Sequence, residues 1–282
     1  MIEDILFGKL SLPGEMLRVF VAIFGLIVTS YYDLFNKKNV PDNLLYAFLA
    51  VAFLVNLVFF ESTLFWFSLV LALIVGLIGY VFYRLGQIGG ADVFVLVSIV
   101  LLLPIHPSFL AMPFNLPFIF SLFIFSGVVF ALFVIAYFGF KLIQGESKPK
   151  LLYALMFIPY LIFAYVYTSS FLFSPVYFIF VSLLLFSAIF FLMYRDSMMS
   201  ILAEELPVSQ LEPEDVCAVE LMNKDLVSHY KIPRLLKQED IDRLKKSKVS
   251  EIWVYTRLPP FLPFLLVGTV LALLFARSLI LI

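Results

Sequence analysis

The chain reads as an all-α polytopic membrane protein of about eight transmembrane helices, with a small α+β domain between the last two. Three observations lead to this fold class. Of 282 residues, 63% are hydrophobic and 14% charged, with a mean hydropathy of +1.07, a balance foreign to soluble domains. The apolar residues fall in long runs. By contrast, 22 of the 39 charged residues crowd into the 64 positions from Arg195 to Leu258.

The apolar runs cover roughly 16–34, 44–60, 62–84, 91–104, 117–140, 151–169, 173–194 and 259–282. A hydrocarbon core of about 30 Å needs about 20 helical residues, and helices satisfy their backbone polar groups within the segment. The fourth run is short and ends at Pro104, which suits a helix immersed partly in protein. Three regions follow: a seven-span core over 1–194, a polar domain over 195–258 and a final transmembrane helix over 259–282. Within the polar domain, Asp215–Leu221 reads as a strand and Glu251–Thr256 alternates as a second. Gln238–Lys248 reads as a short helix, with Ile241 and Leu244 on one face and acids ahead of bases.

Basic residues set the orientation. The connections after runs one, three, five and seven carry Lys37 and Lys38, then Arg84, then Lys141, Lys148 and Lys150, then the polar domain; those after runs two, four and six carry no Lys or Arg. The positive-inside rule makes the first set cytoplasmic and both termini external. Lys9, Arg18 and Arg277 are exceptions, the last placed to snorkel. Residues Met1–Arg18 lack the pattern of a cleaved signal peptide, so the first helix is expected to be its own targeting signal.

Cysteine and histidine usage narrows the chemistry: one cysteine, Cys217, excludes an intrachain disulfide, and two histidines, His106 and His229, argue against a zinc centre. No cofactor, metal or nucleic-acid partner is expected. Cys217 reads as a buried small apolar residue, and His106, between Pro104 and Pro107, as an external loop residue.

Two aspartates stand out. Asp33 closes the first run in Ser30-Tyr31-Tyr32-Asp33-Leu34, and Asp92 opens the fourth in Gly89-Gly90-Ala91-Asp92. A carboxylate at the edge of hydrocarbon is costly unless paired, solvated or neutralised, so such residues are functional candidates. In the topology above both lie at the cytoplasmic edge. A close carboxyl pair shares a proton and titrates as a unit. One member then activates water while the other donates to a carbonyl oxygen, as peptide hydrolysis requires. Gly86, Gly89 and Gly90 remove bulk ahead of Asp92, allowing a substrate backbone or a helix to approach. Asp42, after Pro41, fits a helix cap. The acids Glu204, Glu205, Glu212, Glu214 and Asp215 read as a solvated face that would also attract a basic segment.

The stretch Tyr32-Asp33-Leu34 with Val40-Pro41-Asp42, followed by Gly89-Gly90-Ala91-Asp92, resembles the paired motif of the type IV prepilin and preflagellin peptidases, GxGD membrane aspartyl proteases, in their archaeal branch. The polar segment leading into Pro259-Pro260-Phe261-Leu262-Pro263 and a last helix resembles a C-terminal extension found in some members. The resemblance implies that Asp33 and Asp92 are catalytic, with Gly89, Gly90 and Ala91 as supporting motif residues. It also implies that the substrates are pilin-like or flagellin-like precursors, cut after a short basic leader at the cytoplasmic face. Ala91 replaces the motif's last glycine, and Phe94 stands where a lysine is frequent. The zinc region and methylating domain of bacterial members have no counterpart, so no methyltransferase activity is expected.

Other functions fit less well. A proton-coupled transporter using the same aspartates would place them near the midplane between inverted repeats. Presenilin-like enzymes carry their aspartates on adjacent late spans. A scaffold built around 195–258 leaves both aspartates unexplained. Natural substrate and oligomeric state are open at this level.

Overall fold

The structure, a computed structural model, describes residues 11–36, 39–110, 116–144, 149–171, 173–247, 249–256 and 258–280. Lys9, Lys37, Lys38 and Lys148, used above for orientation, lie outside the described residues, as do Met1–Leu10 and Lys248. The helices are α1 (Glu15–Phe35), α2 (Asp42–Val58), α3 (Ser62–Arg84), α4 (Gly90–Leu102), α5 (Phe118–Gln144), α6 (Phe157–Thr168), α7 (Pro175–Leu202), α8 (Lys224–Tyr230), α9 (Gln238–Lys245) and α10 (Leu262–Ile280). A 3-10 turn over Leu151–Met156 runs directly into α6.

Every predicted apolar run thus contains a helix. Among the described residues, five helical stretches are long and apolar enough to cross a membrane: α1, α3, α5, Leu151–Thr168 and α7. Helices α2, α4 and Leu262–Arg277 of α10 are apolar but shorter. The shortfall in α4 has a visible physical basis. Most of its thirteen residues are buried, and the irregular chain that follows stays inside the protein, with Leu103, Ile105 and His106 buried. Non-helical backbone at such depth is tolerated where protein rather than lipid surrounds it.

Arg18 is the device that makes this work. It is 2% exposed, so it is no water-facing topological charge. Its Nη1 donates to the carbonyls of Leu101 at 3.3 Å and Leu102 at 3.2 Å, and to Asn56 Oδ1 at 2.9 Å, while Nε donates to Pro13 O at 2.8 Å. Asn56 Nδ2 adds a bond to Leu101 O at 2.7 Å. These donors satisfy carbonyls that the end of α4 leaves without intrahelical partners, and a cation suits a helix C-terminus. His106 fastens the following loop. Its Nδ1–H donates to Leu116 O at 2.8 Å, and Nε2 accepts the Ser121 hydroxyl at 2.8 Å.

Helix α4 packs against α1, α2 and α3, while α10 packs between α1 and α5; α7 lies on α5, and α6 on α7. One apolar cluster runs from α1 through α5 and includes Leu262, Leu265, Ala272 and Ala276 of α10. The approach of α10 to α5 is backbone-close: a Cβ on Gly268 would overlap Ser126. The outward faces carry Phe20, Phe24, Ile27, Leu73, Leu77, Leu161 and Ile179, all exposed, as expected of a membrane protein, whose solvent is hydrocarbon.

The polar region differs from its sequence reading at four places. Helix α7 continues unbroken past Arg195 and Asp196 to Leu202, since no Gly or Pro stops it there. Met198 and Leu202 are buried against Ala218 and Tyr255. A strand missed from the sequence, β1 (Glu204–Pro207), pairs antiparallel with β2 (Glu251–Val254), Glu204 opposite Val254 and Pro207 opposite Glu251. The expected strand Asp215–Leu221 is reduced to single bridges, Val216 with Leu235 and Cys217 with Val254, and then becomes a 3-10 turn at Val219–Leu221. Glu214, at φ 73, bends the chain immediately before it, so too few residues remain extended to form a ladder. The short helix α8, capped by Asn223 Oδ1 accepting from Asp225 N–H at 2.9 Å, was also missed. Cys217, Leu236, Ile241, Leu244, Ile252 and Val254 form the unit's own buried core, which places Cys217, Ile241 and Leu244 as the sequence suggested.

Candidate active site

Arg18, near the start of α1, bonds to the end of α4, so the two helices run antiparallel. Asp33 near the end of α1 and Asp92 in the first turn of α4 therefore come to the same end of the bundle. Both are buried, at 7% and 8% exposure. The structure thus brings the two aspartates singled out from the sequence to one end of the helix bundle.

Each carboxyl is held by a backbone N–H. Asp92 occupies the third position of α4, and its Oδ2 accepts from Gly89 N–H at 2.9 Å, half of a capping box. Asp33 Oδ2 accepts from Leu262 N–H at 3.0 Å, across 229 residues of sequence. Leu262 is the first residue of α10, where N–H groups have no intrahelical acceptor.

The glycines sort into distinct roles. Gly86 at φ +65 ends α3 in a left-handed conformation. Gly86 N–H donates to Tyr83 O and Gln87 N–H to Phe82 O, the two bonds of a Schellman motif. A Cβ on Gly89 would stand 3.2 Å from Asp92 Oδ2, so the absent side chain leaves room for the carboxylate itself. A Cβ on Gly90 would meet the Tyr83 ring at an ordinary 3.5 Å. Ala91 is an ordinary helical residue of α4 packed against the apolar core, a position that alanine fills without strain.

The polar unit abuts this end. Tyr83 of α3 donates its hydroxyl to Glu214 Oε1 at 2.7 Å, and a Cβ on Gly86 would lie 3.5 Å from Arg234 Cγ. Glu214 is thereby engaged in docking, and Asp215 Oδ2 accepts from Glu212 N–H at 2.8 Å. Two members of the acidic group thus have local structural partners. Asp42 is exposed and is the first residue of α2, with Pro41 in the cap position. His106 is buried beyond the end of α4 opposite Asp92, bonded to Leu116 and Ser121.

With the two carboxyls at one end of α1 and α4, the comparison with known families bears on the site. Residues 20–140 match the type IV leader peptidase family. No curated protein and no solved structure matches the chain. The leader peptidase match includes Asp33 and the Gly89–Asp92 stretch but covers less than half of the chain. It ends inside α5, short of the wider resemblance read from the sequence. Leu262, the donor to Asp33, lies outside it. No sequence signal announces that contact; in the sequence Leu262 is one apolar residue of the proline-rich entry to the last helix.

Proposed function

We propose that the chain is a membrane aspartic endopeptidase of the type IV leader peptidase family, cutting short basic leaders from prepilin-like or preflagellin-like precursors at the cytoplasmic face. The observation that carries this reading is the placement of Asp33 and Asp92: buried, at the same end of α1 and α4, and inside the segment that matches the family. One carboxylate takes a proton from water as the oxygen attacks the scissile carbonyl carbon. The other gives its proton to the carbonyl oxygen. Collapse of the tetrahedral diol breaks the C–N bond, with the leaving nitrogen taking a proton from the pair. The precursor's apolar helix would lie in the membrane beside α1 and α4, its basic leader at the face carrying the polar unit. On this reading all eight apolar helices span the membrane, α4 being short because it is largely enclosed by protein, and the chain falls in the archaeal branch of the family.

The test is cleavage of a precursor bearing a basic leader ahead of an apolar helix, with Asp33→Asn and Asp92→Asn in the full chain. Each exchange keeps side-chain shape and removes the acid–base chemistry, so each is expected to lower kcat by about 10³-fold or more. Full activity in either variant would overturn the dyad. Purified protein that moves protons across liposomes and cleaves no precursor would favour transport instead.

A further inference from the structure

The bond between Leu262 and Asp33 joins the last helix to a residue placed in the dyad, and we infer that the Leu262 backbone N–H is a positioning group for peptide hydrolysis: it fixes the Asp33 carboxyl for reaction. The inference rests on the dyad reading and extends it to a part of the chain outside the family match.

Three observations support it. Leu262 is fully buried and Asp33 nearly so, so water does not compete for the 3.0 Å bond. The donor is rigidly seated: Leu262 and Leu265 belong to the central apolar cluster, and Gly268, two turns on, lies against the Ser126 backbone. The donor is also unencumbered within its own helix. The first intrahelical bonds of α10 run from Phe264 and Leu265 N–H to Phe261 O, and Pro263 has no N–H to offer. The Leu262 N–H is therefore the group the helix start leaves for Asp33. A carboxylate pinned at one oxygen has its second oxygen directed, and misplacement of a reacting group by about 1 Å is worth about 10²-fold in rate.

Position 262 allows a clean test, because the first position of a helix accepts proline. Leu262→Pro removes the N–H, and Leu262→Ala keeps the N–H while removing the buried side chain. Both are assayed in the full-length protein with a synthetic precursor of basic leader and apolar helix, alongside Asp33→Asn. The expected result for Leu262→Pro is a kcat lower by about 10- to 100-fold with KM within about twofold, and a kcat loss several times smaller in Leu262→Ala. A KM effect with unchanged kcat, or equal kcat losses in both variants, would overturn the inference, since side-chain packing would then explain the phenotype. If Leu262→Pro does not fold, leucic acid introduced at position 262 replaces N–H by an ester oxygen and keeps the side chain; wild-type kcat in that protein overturns the inference equally. Failure of the dyad itself looks different, because Asp33→Asn would then retain activity.

Discussion

Arg18 Nη1 donates to the carbonyl oxygen of Leu102 at 3.2 Å, closing the far end of the helix whose near end carries Asp92. A thirteen-residue helix rises about 20 Å, too little to cross a bilayer core alone. Its terminal carbonyls would otherwise lie buried without donors. The Arg18 fork removes that cost and ties the start of α1 to the end of α4, the antiparallel arrangement that brings Asp33 and Asp92 to one end.

Arg18→Ala is expected to destabilise the protein by about 3 kcal/mol, since more than one buried acceptor loses its partner. Arg18→Lys should recover only part, because a single ammonium cannot serve Pro13, Asn56 and the α4 carbonyls from one planar fork. Thermal unfolding in detergent measures both, and a loss below about 0.5 kcal/mol for the alanine variant would contradict the capping role.

Gly89 and Ala91 should respond oppositely. Gly89→Ala places a methyl 3.2 Å from Asp92 Oδ2, and a lowering of kcat by about tenfold is expected without global unfolding. Ala91→Gly introduces the glycine of the motif that this stretch resembles but sits at a regular helical position. It should cost up to about 1 kcal/mol of stability and raise kcat little. Steady-state cleavage and a melting curve for each variant decide the matter.

Gly268→Val is expected to lower both stability and activity, because its side chain would collide with Ser126, whose backbone nitrogen lies only 2.6 Å from the position of a Cβ. Helix α10 must then move away from α5 and carry Leu262 from Asp33. A variant that melts normally and cleaves normally would show that α10 tolerates displacement.

Burial, followed by the nearby charges of Asp215 and Asp240, pushes the Cys217 thiol up from 9.0 to about 12. The thiol should resist maleimide at pH 7–8 in the folded protein and react once it is denatured, since the thiolate is the nucleophile. The sign for stability follows. A thiol with a higher pKa folded than unfolded supports folding fully below pH 9, and that support declines as pH rises toward about 12. Rapid labelling of native protein at pH 7 would contradict this.

Tyr83→Phe removes a bond to Glu214 that is exposed to water, so a stability change of no more than about 1 kcal/mol is expected. The polar unit should become easier to cleave by protease in the 208–216 region. Unchanged proteolysis would mean that its other contacts hold it.

The site was half legible in the sequence. Asp33 and Asp92 announce themselves because a carboxylate is costly beside hydrocarbon, and the glycines of the Asp92 turn leave a recognisable spacing. Leu262 gives no such sign. Its contribution is a backbone N–H, which every residue but proline possesses, and its partner lies 229 residues away. Likewise the charge pattern makes Arg18 only an exception on the outer side, whereas folding buries it at a helix end.

The chain by itself determined the apolar helices and their order, since long apolar runs in lipid satisfy their backbone within the segment, and it marked the polar unit by charge density. It also determined which carboxyls were out of place. Tertiary structure decided how far each helix continues, that Glu204–Pro207 pairs with Glu251–Val254 and that Asp215–Leu221 does not form a ladder. It also decided that α10 reaches Asp33. The division has a physical reason: hydrophobic runs and charges act on the chain locally, whereas strand pairing, capping by a distant side chain and a single buried backbone bond exist only once remote segments have been packed together.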